Sequence, residues 1–389
     1  MNSYMIGWGH TALGRLEGFE LEDLMAEAAR EALDDAGVAP AEIDAVYVGH
    51  FNSGMSRQDF TASLALQVDD SLRFKPATRV ENACATGSGA IHAGLDFIAA
   101  GRGKRVLVIG VEKMTGVPAA QVADSLLGAS YRREESDIKG GFVGVFGRIA
   151  QQYFDRFGDQ SDILARIAAK NHRNGVGNPY AQLRKDLGFE FCNEVSDKNP
   201  LIAGPLRRTD CSPISDGAAA VVLAAEDAAG DARRRIAFRA RVQVNDFLPM
   251  GRRDMTRLEG AEEAWRRAFD AAGVTLSDLD LVETHDCFTI AELMQYEAMG
   301  LTAPGEGRIA VLEGWTEKDG RLPVNPSGGL KAKGHPVGAT GVSMHVMVAK
   351  QLAGEAGDMQ IAGARLAGTF NMGGAGVANY ASILELDRG

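Results

Sequence analysis

The sequence predicts an α/β protein of two pseudo-symmetric halves with a loop domain inserted between them. The main observation is an internal repeat. EALDDAGVAPAEIDAVYV, which begins at Glu31, aligns with RAFDAAGVTLSDLDLVET, which begins at Arg267, at a constant offset of 236 (267 − 31). Each copy has the pattern of an amphipathic helix that ends at a glycine and leads into a short strand. In both halves a later helix of small residues also precedes a strand. Chance similarity between alanine-rich helices is the alternative to a true repeat.

The first half contains the clearest predicted helix, Leu21 to Gly37, in which apolar residues recur at i, i+3 and i+4 and Gly37 is the C-cap. Predicted strands follow at 44–48 and 105–112, and the sequence SDGAAAVVL later in the chain predicts another core strand. The predicted units are residues 1–116 for the first half (completed by about 210–235), 117–209 for the inserted domain and 236–389 for the second half.

The inserted segment differs from both halves and is expected to carry substrate contacts. It holds the charged run YRREESDIK, two predicted helices at 148–157 and 162–174, and a glycine-spaced stretch, GGFVGVFG, at 140–147. These glycines could indicate a phosphate loop, but the Lys-Ser/Thr of a P-loop and the strand–GxGxxG–helix context of a dinucleotide site are both missing from the sequence. Glycines that allow close packing are the favoured interpretation.

Charge and cysteine content restrict the function classes. A formal net charge of −11 at pH 7 argues against general binding to nucleic acids or anionic membranes. The cysteines Cys84, Cys192, Cys211 and Cys287 have neither metal-type nor dense disulfide spacing, so we expect reduced thiols in a cytoplasmic protein. No apolar run approaches the roughly 20 residues that span a bilayer, and we expect no secretory signal.

Cys84, in ENACATGSGAIHAG, is predicted to lie where a turn leads into a helix. The small residues of that helix indicate that its backbone packs closely against another backbone. A thiol at a helix N-terminus lies near free N–H groups and the positive end of the helix dipole, which favour the reactive thiolate. A small buried hydrophobe is the alternative for Cys84. Because Cys84-x-x-Gly87 matches His335-x-x-Gly338, we expect Cys84 and His335 at equivalent helix N-termini, facing each other across the pseudo-two-fold axis.

Three further segments carry candidate groups. His285 and Cys287, in ETHDCF, follow a predicted buried strand, and α/β sheets bind ligands at the carboxyl ends of their strands. His335 precedes a predicted helix in GHPVGATG, and NMGGAG at 371–376 is a predicted glycine turn that offers a bare N–H. Each residue alone could be structural, but together they favour one shared site. No metal is required, because zinc ligands usually occur in close pairs and only His285 and Cys287 are close in sequence.

These segments together resemble the thiolase family along essentially the whole chain, and especially its sterol-carrier-protein type. The segment around Cys84 is similar to the family's acyl-accepting cysteine, GHPVGATG to its histidine loop, and HDCF at 285–288 to the signature of that subgroup. Many thiolases have Cys-x-Gly-Gly-Gly where this chain has NMGGA at 371–375, so the usual second cysteine is missing there. In the subgroup the cysteine of HDCF takes that role, and Cys287 is present. The resemblance implies a five-layered αβαβα fold, a loop domain that covers coenzyme A, and at least a dimer.

The same resemblance implies an acyl-CoA C-acyltransferase that cleaves 3-ketoacyl-CoA with coenzyme A, or condenses acyl-CoA molecules in reverse, through an acyl-cysteine. Cys84 is the expected nucleophile and His335 the base that takes its proton. The backbone N–H groups of Cys84 and Gly373 are expected to form the oxyanion hole. Cys287 is expected to give a proton to the departing enolate, while His285 and His335 hold the thioester oxygen.

Coenzyme A and acyl-CoA are the expected substrates, with no permanently bound cofactor. The expected assembly is a homodimer or homotetramer, with or without an accessory partner protein. Two other functions stay open: a decarboxylating ketosynthase-like enzyme, against which Cys287 argues, and a catalytically silent thiolase-like subunit, against which the complete Cys–His–Cys–His set argues. Candidate contacts for the phosphates of coenzyme A are Arg132, Arg133, Lys139, Arg173, Lys185, Arg207 and Arg208.

Overall fold

The structure is a computed structural model that describes residues 3–230 and 232–387. Within these residues the strands are β1 (Ser3–His10), β2 (Ala45–Gly49), β3 (Ala77–Val80), β4 (Arg105–Glu112), β5 (Leu201–Ala203), β6 (Leu206–Arg207), β7 (Gly217–Ala225), β8 (Arg235–Asn245), β9 (Leu281–Thr284), β10 (Leu366–Gly373) and β11 (Ala378–Asp387). The helices are α1 (Leu21–Ala36), α2 (Thr61–Leu64), α3 (Thr86–Ala99), α4 (Ala119–Leu127), α5 (Arg132–Glu135), α6 (Gly141–Phe157), α7 (Ser161–Val176), α8 (Gly188–Asn193), α9 (Glu259–Ala272), α10 (Thr289–Ala298), α11 (Gly307–Leu312), α12 (Gly329–Lys333) and α13 (Thr340–Ala353).

Nine of these strands form one mixed sheet in the order β3-β2-β4-β7-β1-β8-β11-β10-β9. We call the strands on each side of the β1–β8 contact a wing of the sheet. Counted outward from that contact, β1, β7, β4 and β2 of one wing correspond in order to β8, β11, β10 and β9 of the other. In each wing the inner pairs are antiparallel and the outer pair is parallel. The wings join where β1 pairs with β8, at Tyr4 with Ala237 and Met5 with Ile236. The chain is therefore built from two pseudo-symmetric halves.

Helices complete five layers around the two wings. Helix α1 packs on β1, β7 and β4, helix α9 packs on β8 and β11, and helices α3 and α13 pack against each other between the wings. Strand β4 shows how a strand of this sheet is buried on both of its faces. Leu107 and Ile109 face the α1 side, whereas Val106 and Val108 face α3 and α13, because successive side chains of a strand point to opposite faces. The predicted αβαβα fold is confirmed.

The internal repeat is confirmed where the outer helices end. Helix α1 is followed by Gly37 and helix α9 by Gly273, and both glycines are left-handed, with φ of 64° and 65°. Their separation, 273 − 37, reproduces the offset of 236. Glycine is favoured at both positions because side chains disfavour that backbone conformation.

The predicted equivalence of Cys84 and His335 is wrong by about one helical turn. Helix α3 begins at Thr86 and helix α13 at Thr340, which gives an offset of 254 (340 − 86). The position equivalent to Cys84 is therefore Gly338, and His335 lies three residues earlier. The offset of 254 pairs Gly87 with Gly341, and the central helices α3 and α13 cross at these two glycines. A Cβ on Gly87 would lie 2.7 Å from the backbone nitrogen of Val342, and a Cβ on Gly341 would lie 2.2 Å from the backbone nitrogen of Ser88.

The inserted segment is more helical than the sequence predicted. Helix α6 spans Gly141–Phe157, so the glycine-spaced stretch forms the first half of a helix. A Cβ on Gly144 would lie 2.0 Å from the oxygen of Lys139, and one on Gly147 would lie 2.7 Å from that of Ala203. These contacts confirm packing glycines rather than a phosphate loop. Strand β7 pairs with β4 and β1, so it completes the first wing, and the domain boundaries stay a proposal.

None of the helices in the described ranges is both long enough and apolar enough to cross a membrane.

Candidate active site

Three of the predicted site residues meet between the two halves. The Sγ atom of Cys84 and one ring nitrogen from each of His285 and His335 lie within 4.8 Å of one another. The two imidazole centroids are 5.1 Å apart, and the rings are nearly perpendicular, at 85°. Cys287 lines the same cavity as Cys84 and His335, and all four side chains are buried. The structure thus brings together residues from three separate segments of the chain.

Cys84 lies on a tight turn between β3 and α3. Ala83, just before it, has a φ of 49°, a left-handed conformation that costs on the order of 1–3 kcal/mol for a residue with a side chain. The turn is closed by hydrogen bonds from Ala85 N to Asn82 O (3.1 Å) and from Asn82 N to Thr86 Oγ1 (2.8 Å). Such strain persists only where the surrounding structure fixes the backbone, so the position of Cys84 is tightly defined.

Burial controls the protonation of the Cys84 thiol. Burial raises the pKa of Cys84 to about 12, although the N–H groups of Gly374 and of Cys84 itself act in the opposite direction. The N–H groups favour the thiolate, as expected, but desolvation outweighs them in the resting site. The sulfur needs a base that takes its proton during the reaction.

His335 has the protonation state of such a base. Its Nδ1 lies 2.7 Å from Thr340 Oγ1, and the Thr340 hydroxyl donates to Pro336 O at 3.0 Å. A hydroxyl has one hydrogen, so Thr340 must accept from Nδ1–H, which leaves Nε2 with its lone pair. Burial, followed by the charge of Lys333, lowers the pKa of His335 to about 3. The ring is neutral at pH 7, and Nε2 can accept the thiol proton.

Buried carboxylates hold the loops that carry these side chains. Asp286, within HDCF, accepts hydrogen bonds from the N–H groups of Leu330 (2.6 Å) and Lys331 (3.2 Å), and so ties this segment to α12 just before His335. Glu112, at the end of β4, accepts from Gly338 N at 2.9 Å. Neither carboxylate was identified from the sequence, because each acts through backbone N–H groups that are remote in the chain.

His285 contacts a residue whose role the sequence also missed. Its Nδ1 lies 2.9 Å from Asn371 Nδ2, which is also 3.0 Å from the carbonyl oxygen of Cys84. The sequence predicted a turn at Asn371, but β10 continues to Gly373, so Asn371 is a buried strand residue. The available signal was that Asn371 stands where many thiolases have a cysteine.

Cys287 is a protonated thiol, and the predicted backbone donor Gly373 lies at the end of β10. Burial, followed by the nearby Cys84 and Asp286, raises the pKa of Cys287 well above its usual value. A protonated thiol can donate a proton in the reaction. Gly373 is the last residue of β10 and pairs with Ala378, and the N–H of the next residue, Gly374, lowers the pKa of Cys84 together with the N–H of Cys84 itself. The oxyanion hole stays a prediction.

A cavity of about 120 Å³ opens beside Cys84, Cys287 and His335. Its walls are mainly apolar and come from α4, α6 and residues 211–214. The apolar lining includes Met114, Val122, Leu126, Phe142, Val143 and Phe288.

The basic residues proposed for coenzyme A divide by their partners. Arg207 is buried against Asp210 (2.9 Å), and Arg132 and Arg173 pair with acidic side chains. Lys139, by contrast, is exposed and precedes Gly140, which lines the cavity. A contact of Lys139 with a phosphate of coenzyme A stays a prediction.

The same donor atoms are close enough to hold a metal ion, since thiolate and imidazole are zinc ligands. The same three residues can supply a nucleophile and a base for acyl transfer.

Comparisons with known proteins agree with this geometry. Family models described as "Thiolase, N-terminal domain" and "Thiolase C-terminal domain-like" match residues 2–227 and 244–386. An acetyl-CoA acetyltransferase of Methanothermobacter thermautotrophicus is 39% identical over 376 residues, which are 96% of each chain. Sterol carrier protein 2 of Oryctolagus cuniculus is 32% identical over 96% of this chain and 70% of its own.

Two solved structures share the fold at low sequence identity. One, named "Ltp2-ChsH2(DUF35) aldolase", has a TM-score of 0.84 and 20% identity, and the match covers 100% of this chain and 98% of that one. Human mitochondrial 3-ketoacyl-CoA thiolase in complex with CoA has a TM-score of 0.74 and 20% identity, with coverage of 99% and 98%. Because family models match both halves and a relative is 39% identical along nearly the whole chain, this protein belongs to the thiolase family and is a thiolase-type acyltransferase.

Proposed function

We propose that this thiolase cleaves a short 3-ketoacyl-CoA with coenzyme A or, in reverse, condenses two acetyl-CoA molecules. The observation that carries the proposal is the convergence of Cys84, His285 and His335 within 4.8 Å beside a cavity that Cys287 also lines. A Claisen reaction needs a nucleophile, a base, an acid and donors for two oxyanions in one place. This set of side chains supplies each of them.

In the first step the sulfur of Cys84 attacks the 3-keto carbonyl while its proton moves to Nε2 of His335. The oxyanion that forms is held by the backbone N–H groups of Cys84 and Gly373. The carbonyl then re-forms as an acyl thioester on Cys84. The carbon–carbon bond breaks, and its electron pair passes to the departing acetyl-CoA enolate.

In the second step the enolate carbon takes a proton from Cys287, while His285 and the protonated His335 stabilise the thioester oxygen. Coenzyme A then gives its thiol proton to the Cys287 thiolate as it attacks the acyl group. Cys84 leaves with the proton held by His335, so every group returns to its starting state. Run backward, the same transfers condense two acyl-CoA molecules.

The cavity beside Cys84 supports a short acyl group. Its volume is about 120 Å³ and its lining is mainly apolar, whereas an apolar cavity of roughly 150 Å³ holds one benzene molecule. We therefore propose an acyl group of fewer than about six carbons. A polar group there would lose hydrogen bonds to water without gaining partners.

We propose that acylation needs no accessory protein, because Cys84, His335, Cys287 and His285 all belong to this chain. The related fold named "Ltp2-ChsH2(DUF35) aldolase" makes a DUF35-type partner the first to test for other steps. The homodimer or homotetramer and the cytoplasmic location stay predictions.

Intact-protein mass spectrometry after incubation with acetyl-CoA tests the proposal. We expect one acetyl adduct on the parent chain and none on Cys84→Ala. Cys192→Ala is the matched control, because Cys192 is also fully buried but packs against α7 in a separate cluster; it should acquire the adduct. Bound acetyl-CoA without an adduct would instead favour the silent subunit. An adduct with release of CO₂ from malonyl-CoA but no cleavage of acetoacetyl-CoA would favour the ketosynthase-like enzyme.

A further inference from the structure

The side chain of Asn371 joins the nucleophile's backbone to one of the two site histidines. It is 1% exposed and lies on β10. Its Nδ2 is 3.0 Å from the carbonyl oxygen of Cys84 and 2.9 Å from Nδ1 of His285, and its Oδ1 is 2.8 Å from Oγ of Ser88. Asn371 therefore contacts three elements of the site at once.

These partners fix which end of the Asn371 amide faces His285. A carbonyl oxygen only accepts hydrogen bonds, so the atom next to Cys84 O must be the donor Nδ2. Oδ1 then faces Ser88, whose hydroxyl donates to it. The same Nδ2 carries a second hydrogen, and that hydrogen points to His285. Rotating the amide by 180° would set two oxygens against each other.

The orientation of the amide in turn fixes the proton of His285. Because Asn371 donates to Nδ1, that nitrogen must present its lone pair, and in the neutral ring the proton is then on Nε2. Nε2 is buried and has no hydrogen-bond partner within residues 3–230 and 232–387. It is thus an unused donor on a residue of the cluster that contains Cys84 and His335.

We propose that Asn371 is a positioning residue that holds the His285 proton on Nε2, so that His285 donates a hydrogen bond to the thioester oxygen of the enolate. This inference rests on the proposed function for the identity of that oxygen. Burial, followed by His335, lowers the pKa of His285 well below its usual value, so the ring is neutral and its tautomer decides whether it can donate. With the proton on Nδ1, a lone pair would face the developing negative charge.

The two histidines consequently have opposite tautomers. Thr340 accepts from His335 Nδ1–H and leaves Nε2 free to act as a base, whereas Asn371 donates to His285 Nδ1 and leaves Nε2–H free to act as a donor. One hydrogen-bond partner for each ring, an acceptor for one and a donor for the other, separates the two roles.

Nitrogen NMR of the ¹⁵N-histidine-labelled protein tests the tautomer directly. The chain has 7 histidines, and His285 is assigned by the signals that His285→Asn loses. We expect a protonated Nε2 and an unprotonated Nδ1 in the parent protein. In Asn371→Asp a carboxylate oxygen replaces Nδ2 and can only accept, so Nδ1 should become protonated. An Nδ1 that is already protonated in the parent would overturn the proposal.

A matched control removes a hydrogen bond to another buried histidine. Ser382 Oγ lies 3.0 Å from His345 Nε2, in the central layer of the molecule. Ser382→Ala should change the signals of His345 and leave those of His285 unchanged. A His285 tautomer that shifts in Ser382→Ala as it does in Asn371→Asp would mean that general loosening, rather than Asn371, sets the tautomer.

The split between the two half-reactions gives a second readout. In Asn371→Ala we expect acetylation of Cys84 to fall less than about fivefold, because His335 remains in place, while acetoacetyl-CoA formation falls roughly 100-fold, the scale for loss of one oxyanion donor. Equal losses in both would overturn the proposal. If the parent chain is not acetylated at all, the proposed function fails, while the NMR result still decides the role of Asn371.

Discussion

The first half and the second half of the chain enter the same central layer in different ways. Cys84 precedes α3 by two residues, on a turn strained at Ala83. His335 precedes α13 by five residues, on a loop held by Ser215 Oγ, which accepts from His335 N at 3.0 Å. The short segment before α3 fixes the sulfur of Cys84, the proposed nucleophile, whereas the longer segment before α13 brings the side chain of His335 close to it.

The difference shows how a repeated architecture produces a site that is not symmetric. The central helices α3 and α13 cross at the paired glycines Gly87 and Gly341, so the backbone of the two halves is alike at the crossing. The side chains that precede the two helices, however, are different and complementary. In the proposed mechanism, the nucleophile comes from the first half, and the base, the acid and the oxygen-holding imidazole come from the second. A single cavity between like halves therefore receives different groups from its two sides.

The largest expected effect comes from Cys287, because it separates acylation from carbon–carbon chemistry. Cys287→Ala removes the proton donor of the second step but leaves Cys84, His335 and the first oxyanion hole. We expect acetylation of Cys84 by acetyl-CoA within about threefold of the parent rate. Formation of acetoacetyl-CoA should fall by 10²-fold to 10⁴-fold, the usual range for loss of a general acid. Adduct mass spectrometry and a condensation assay measure the two quantities.

Cys192→Ala is again the matched control, since it removes a buried thiol from another cluster and should retain both activities. Loss of acetylation together with condensation in Cys287→Ala would contradict the division of roles between the two cysteines.

The crossing of the central helices provides the next largest effect, on stability. Gly87→Ala and Gly341→Ala each place a Cβ within 2.7 Å of backbone in the opposite helix, and backbone cannot move aside as a flexible side chain can. We expect each to lower the free energy of unfolding by about 1–3 kcal/mol or more, as measured by chemical denaturation. Gly251→Ala, where a Cβ would meet nothing within 4 Å, should change it by less than about 0.5 kcal/mol. A large loss in only one of the two crossing variants would break the equivalence of the halves.

Much of the fold was predictable because its signals are local. The helix that ends at Gly37, the copy of this unit that ends at Gly273 and the apolar strand RVLVIGVE depend on periodicity and capping within a few residues. The predicted equivalence of Cys84 and His335 failed for the same reason, although the two residues do meet in the site. A four-residue pattern does not record how many residues precede a helix, and only the crossing of Gly87 with Gly341 reveals the true offset.

In the site, the sequence identified groups that react but not groups that orient them. Cys84, His285, Cys287 and His335 have side chains whose chemistry is evident in isolation. Asn371, Asp286 and Glu112 act through hydrogen bonds to residues far away in the chain, and no local pattern encodes those partners. The sequence shows the helix N-terminus that favours the Cys84 thiolate, but it does not show the burial that raises the pKa of Cys84, because the depth of burial is a property of the folded chain.

The smallest expected effect concerns the proton that is shared between Cys84 of the first half and His335 of the second. Its resting position decides how the reactivity of Cys84 depends on pH. Burial raises the pKa of Cys84 to about 12. Burial and, as the smaller cause, the charge of Lys333 lower the pKa of His335 to about 3. Between these two pH values both the thiol and the imidazole are therefore neutral. The thiolate fraction then increases about tenfold for each unit of pH well below the thiol pKa. We expect the rate of alkylation of Cys84 by iodoacetamide to rise about tenfold per unit from pH 7 to pH 10, with no plateau.

Quantitative mass spectrometry of the Cys84 peptide measures this rate separately from those of the other cysteines. The same chain unfolded in urea is the control, because an exposed cysteine has a pKa of about 8.5 and its alkylation rate should level off above roughly pH 9. A folded protein whose rate is already level above pH 6 would mean that the N–H groups of Cys84 and Gly374 and the base His335 outweigh burial and hold a thiolate at rest. In that case the first half would supply a preformed nucleophile, and the second half would not need to take its proton.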